Sequence, residues 1–93
     1  MYLTGTSSLD ATDLDTSGKY GLNSDGVDFR WNGGVSDADT ALIVDGGAEG
    51  SVENVTWSDA STQIDARDYT TVTSVGNTVD ASKLLLASTA VIH

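Results

Sequence analysis

The strongest local candidate for chemistry is a run of oxygen-bearing side chains, Asp13-Leu14-Asp15-Thr16-Ser17-Gly18. Oxygen ligands fall at its positions 1, 3 and 5 and glycine at position 6, as in calcium loops of the helix–loop–helix type. Such loops also need a bidentate glutamate at position 12, where this chain has Ser24, with Asp25 one residue later. The spacing predicts a calcium site with the ligands Asp13, Asp15, Ser17 and Asp25. The alternative is a turn in which these side chains bond to the nearby backbone.

The side chains that acid–base or nucleophilic catalysis requires are few. The only histidine is the last residue, His93, so a catalytic triad would lack a base held in a fixed position. No glycine-rich phosphate-binding pattern is present. Carboxylates are abundant, but glycoside cleavage also needs a cleft for a sugar ring, which so short a chain rarely builds. We therefore expect no enzymatic activity and, calcium aside, no cofactor.

The charge of the chain excludes some classes of partner. It has 14 acidic and 4 basic residues in 93, a formal charge of −10. Because nucleic acids and anionic lipids are bound through Lys and Arg, we expect neither nucleic acid nor membrane as a partner. The acidic surface either keeps the protein in solution or meets a basic partner. With no cysteine, the chain can form neither a disulfide framework nor a thiolate zinc site.

The sequence shows neither a secretory signal nor a membrane span. The first residues lack the basic start and apolar stretch of a signal peptide. The longest apolar runs, 41–44 and 84–87, hold four residues each, whereas a bilayer span needs roughly 20.

The local patterns favour strands. The segment 27–31 alternates apolar and charged residues, as a half-buried strand does. Asn32-Gly33 and Gly76-Asn77 suit two-residue hairpin turns, because glycine and asparagine tolerate positive φ. The segments 36–46 and 80–88 fit either a strand or a short helix.

These elements predict an all-β fold: a small antiparallel β-sandwich or barrel-like domain over residues 27–93, with an irregular N-terminal arm over 1–26. The alternative is a short β-solenoid. Leu9-Asp10-Ala11, Ile64-Asp65-Ala66 and Val79-Asp80-Ala81 echo one another, but without the fixed period that repeat folds show.

The two ends of the chain are candidates for protein contacts. The segment 87–93 is apolar almost to its end, and the last charged side chain is Lys83. An uncharged, β-prone terminal strand associates with other chains unless its edge is covered. It is therefore either a central strand of the monomer or a strand added to a neighbouring subunit. The predicted interface residues are Tyr2, Leu3, Leu85, Ala87, Val91 and Ile92.

In its composition, a small acidic chain rich in Thr, Ser, Gly and Asp without Cys or Pro, the protein resembles small virion structural proteins of tailed bacteriophages, the capsid decoration (cement) type. No motif carries this resemblance, so it transfers no functional residues. It implies a non-enzymatic structural subunit of the virion that binds capsid or other virion subunits, as a homo-oligomer with a trimer favoured. The alternative function is a calcium-dependent extracellular binding or adhesion module.

Overall fold

The protein is a parallel β-solenoid of about four turns. The computed structural model describes residues 1–5, 8–58 and 60–93. The strands of these residues are β1 (Tyr2–Thr4), β2 (Leu9–Thr12), β3 (Thr16–Asp25), β4 (Phe29–Asp45), β5 (Glu49–Trp57), β6 (Thr62–Ala66), β7 (Thr71–Val75), β8 (Leu84–Leu86) and β9 (Val91–Ile92).

Every strand pair among the described residues is parallel, and each turn of the chain stacks on the turn before it. Leu9 pairs with Phe29, Phe29 with Gly50 and Gly50 with Val72, so one turn takes 20 to 22 residues. The predicted antiparallel sandwich or barrel is therefore wrong, and the short solenoid considered as its alternative is the observed architecture. The expected hairpins are absent from the described residues, since no described pair of strands runs antiparallel.

Gly33 and Gly76, expected in hairpin turns, instead form corners of the solenoid. Asp13 and Asn54 occupy the equivalent corner in other turns; all four residues follow β-strand positions that pair with one another and have positive φ, between 54° and 81°. Asn, Asp and Gly are the residues that adopt this conformation at least cost. The same residue types serve tight hairpins and solenoid corners, so the local pattern does not distinguish the two.

The core is a stack of inward-facing apolar side chains inside the coil. Trp31 is fully buried, and its indole Nε1 donates a hydrogen bond to the carbonyl of Leu14 at 3.1 Å. The ring of Phe29 occupies the space that a side chain at position 50 would need, so Gly50 makes room for it. In this stack a large residue thus lies above a small one, which lets the two turns pack at the spacing of a β-sheet.

Three local expectations are settled by the strands. The segment 1–26 was expected to be an irregular arm, but it contains β1, β2 and the whole of β3. All three strands belong to the same sheet as β4. The segment 36–46 lies almost wholly within β4 and is strand. The segment 80–88 holds a short 3-10 helix, Ala81–Lys83, followed directly by β8. No helix in the described part of the chain is long and apolar enough to cross a bilayer.

Candidate assembly interface

The last turn among the described residues exposes Leu86, at a position that is buried in the three turns directly beneath it. Leu86 stacks above Ala66, Val44 and Ser24, which are 0–1% exposed. Leu86 itself is 55% exposed. It faces the interior of the coil, but no further turn among the described residues covers it. We call the surface formed by Leu84–Leu86 and Val91–Ile92 the C-terminal end surface.

The backbone of this surface also has an open edge. Among the described residues, β8 pairs only with β6, and β9 pairs only with β7. The N–H of Ala87 donates to Ala66 and the N–H of His93 to Val72, both towards the preceding turn. Because successive residues of a strand direct their backbone groups to opposite sides, those of Leu86 and Ile92 point outward. This edge can pair with another strand.

Charge is absent from the C-terminal end surface although the protein is strongly acidic. Residues 84–93 contain no Asp, Glu, Lys or Arg, and the rest of the chain contains all 14 acidic residues. Charged edge residues and proline normally prevent strand edges from associating, and this edge has neither. A neighbour that contacts residues 84–93 therefore meets no charged side chain within that segment.

A cavity of about 480 Å³ lies beside the surface. It is lined by Asp45, Asp65, Arg67 and Asp68 on one side and by the apolar run Leu85–Ala87 on the other. Arg67 forms exposed ion pairs with Asp65 at 3.2 Å and Asp45 at 3.4 Å. Hydrogen bonds to Asp65 and then Asp45 raise the pKa of the Arg67 guanidinium. Such exposed pairs contribute little stability, but they hold a polar rim next to the apolar surface.

The predicted interface residues lie at both ends of the solenoid. Leu85 and Val91 are exposed, and Ala87 and Ile92 pack against the last turn of the core. At the other end, Leu3 is half-buried and Tyr2 is exposed, in the first strand of the sheet. Sequence reasoning missed Leu86, although the run Leu84-Leu85-Leu86 was visible, because the inward direction of its side chain depends on the register with β6.

The tyrosine at the N-terminal end interacts with one of the predicted calcium ligands. The Tyr2 hydroxyl donates a hydrogen bond to Asp25 Oδ2 at 3.1 Å. This hydrogen bond to the carboxylate, together with its negative charge, raises the pKa of Tyr2. Asp25 therefore has a structural partner in the first turn.

The predicted calcium ligands are not brought together as a site. Asp13 occupies a corner with φ of 55°, and Asp15 Oδ1 accepts the backbone N–H of Val35 at 2.9 Å. Ser17 is exposed on β3, and Asp25 lies at the opposite end of that strand. In the described residues no group of three or more His, Asp or Glu side chains could hold a metal ion. The contacts of Asp13 and Asp15 are those of corner residues.

Comparison with known proteins finds no matching family model, no matching curated protein and no matching solved structure.

Proposed function

We propose that the protein is a non-enzymatic structural or assembly subunit that binds a partner subunit through the C-terminal end surface. The observation that carries the proposal is the exposure of Leu86 at an inward-facing position whose occupants in the three preceding turns, Ser24, Val44 and Ala66, are buried. A strand from the partner, added to the outer edge of β8, would cover this side chain and satisfy the outward backbone groups.

The apolar area available is enough to matter. Leu85 and Leu86 are each 55% exposed and Val91 is 44% exposed. Complete burial of such side chains contributes about 1.5–3 kcal/mol each, so covering the exposed half of each contributes about 1 kcal/mol. Backbone hydrogen bonds along the edge add to this and set the register.

The partner in this proposal is a protein. The resemblance in composition supports a virion decoration subunit that binds capsid or other virion subunits, and the virion is accordingly the proposed location. The proposal includes self-association as a homo-oligomer. The net charge of −10 supports the expectation that neither nucleic acid nor membrane is bound.

The test replaces an exposed leucine of the surface and compares it with a matched exposed residue elsewhere. Leu86→Lys places a charge at the open edge, whereas Val35→Lys places the same charge in the middle of the solenoid, at a residue 43% exposed. Native mass spectrometry and sedimentation velocity count subunits, and circular dichroism checks folding. We expect wild type and Val35→Lys to associate and Leu86→Lys to be monomeric.

Two results would contradict the proposal. One is association of Leu86→Lys as strong as that of the wild type. The other, which contradicts the self-association that the proposal includes, is a monomeric wild type at protein concentrations up to about 1 mM, where even contacts of about 4 kcal/mol are half occupied.

A further inference from the structure

Resting on the proposed function, we infer that the occupant of the C-terminal end surface is the N-terminal end of a second copy of this chain. In this arrangement β1 and β2 of one copy continue the parallel sheet above β8 and β9 of the next. Leu3 then stacks on Leu86, Leu9 on Ile92, and Tyr2 lies beside Leu85.

The register of the two ends supports this arrangement. Within the chain, Leu3 belongs to the same stack as Ser24, and through the intervening turns to the same stack as Leu86. Leu9 belongs in the same way to the stack of Ile92. Leu9 lies six positions after Leu3, and Ile92 lies six positions after Leu86. The two strands of the second copy therefore have the spacing along the chain that simultaneous pairing requires.

The side chains at the two ends are also complementary. The inward positions of the first turn, Leu3 and Leu9, are apolar and only half-buried against the core, as is Ile92 at the other end. Tyr2 is 61% exposed next to them. The contact would place apolar side chains against apolar side chains where β1 and β2 meet β8 and β9.

The charges disfavour two like N-terminal ends and fit two unlike ends. The first turn carries Asp10, Asp13 and Asp15, all exposed, whereas the chain after Asp80 contains no acidic side chain. Two N-terminal ends would bring these aspartates together, but an N-terminal end meets no acidic side chain of residues 81–93 on the other copy. If two C-terminal ends met, the β8 strands of the two copies would run antiparallel. The direction of the coil would then be opposite in the two copies, so the remaining strands could not stack in register.

Such a contact is heterologous, because it uses different surfaces of the two copies. Contacts of this kind extend in one direction unless the rotation between copies closes a ring. Parallel continuation along the solenoid axis leaves no rotation that closes a trimer. The inference therefore predicts an open series of stacked copies, and a closed trimer would overturn it while leaving the proposed function intact.

The absence of cysteine allows a direct test of which ends meet. Tyr2→Cys and Leu85→Cys are prepared as separate variants, mixed in equal amounts and exposed to a mild thiol oxidant. In the inferred register the two thiols lie on neighbouring strands about 4.8 Å apart, within the range of a disulfide. Within one chain the two positions are separated by the other turns, so a bond reports contact between copies.

We expect a mixed dimer from the mixture and monomer from either variant alone. Val35→Cys, mixed with each variant, measures collisional crosslinking. Dimers from Leu85→Cys alone would show that like ends meet, and a mixture no more crosslinked than the Val35→Cys controls would show that these ends do not meet. Either result overturns the inference, and neither touches the Leu86→Lys test of the proposed function.

A second pair in the same register guards against a local effect of one substitution. Thr4→Cys and Ala87→Cys lie two residues further along the same paired strands. They are expected to give the same mixed dimer. Mixed dimers from neither pair, with both pairs of variants folded by circular dichroism, would overturn the inference.

Discussion

The close approach of neighbouring turns can be tested with three glycine-to-alanine substitutions. Gly34 has a φ of 112°, and a Cβ there would lie inside contact distance of the backbone carbonyl oxygen of Leu14. Gly18 has a φ of 92° but no atom within 4 Å of the added Cβ. Gly21 has no positive φ, yet its Cβ would overlap the carbonyl oxygen of Ala41. The three sites thus separate backbone strain from steric overlap.

The expected losses follow from these two effects. An alanine at positive φ costs about 1–2 kcal/mol, so Gly18→Ala should lower the free energy of unfolding by about 1 kcal/mol. Overpacking costs about 1–3 kcal/mol, and the upper value applies to Gly21→Ala because a backbone oxygen cannot rotate away. Gly34→Ala combines both effects and should lose about 4 kcal/mol, a large part of the roughly 5–15 kcal/mol of a typical domain.

Thermal and urea unfolding, followed by circular dichroism, measure the three losses. A loss of 1 kcal/mol lowers the Tm of a domain this size by about 4–8 °C, so Gly18→Ala remains folded at room temperature while Gly34→Ala is largely unfolded on mild heating. The reasoning fails if Gly34→Ala is no less stable than Gly18→Ala. That result would mean that the turns are not in contact at the Leu14 carbonyl.

Three further outcomes are expected. Asp80 accepts hydrogen bonds from the backbone N–H and the hydroxyl of Ser82, which lower the pKa of its carboxyl. Asp80→Ala should therefore lower the Tm at pH 7. Because the stabilisation belongs to the ionised carboxylate, the difference in Tm from wild type should vanish as the pH falls through that lowered pKa. A difference in Tm that does not change with pH would contradict this. Asp15→Ala should lose about 1 kcal/mol, equally in calcium and in chelator, because Asp15 accepts the N–H of Val35; a loss seen only with calcium would revive the metal site. Trp31→Phe should lower the free energy of unfolding in urea by about 2–3 kcal/mol, since it removes a fully buried hydrogen-bond donor and part of the buried volume. An unchanged urea midpoint would show that the ring is not packed as described.

The calcium prediction shows how far residue spacing can go. Asp13 and Asp15 have the spacing of calcium ligands, and they also have the residue types that corners of a coil require. In the structure Asp13 takes a positive φ and Asp15 caps the N–H of the next turn. Spacing along the chain does not distinguish these uses, because a carboxylate oxygen accepts a backbone N–H as readily as it binds a cation.

The sequence contains a repeat of the solenoid turn, but not at the positions 9–11, 64–66 and 79–81 that resemble one another. Leu22 and Asp25-Gly26 recur as Leu42 and Asp45-Gly46, twenty residues later, and these positions pair in the structure. The next turn lengthens to 22 residues, the one after it returns to 20, and both replace most of the pattern. The echo between 9–11 and 64–66 joins residues of different stacks, so it was a coincidence. A period that varies between 20 and 22 residues hides a solenoid from a search for fixed spacing.

The amino-acid sequence alone was enough to indicate β structure, an acidic surface, the absence of thiol chemistry and an apolar chain end, because these depend on composition and on neighbouring residues. The tertiary structure decided whether the strands run parallel or antiparallel. Alternating strands and glycine or asparagine corners are compatible with both arrangements, and only the pairing of distant turns selects one. The same pairing made Leu86 an exposed inward-facing residue, since its direction depends on Ala66 beneath it and on the lack of a described turn above it.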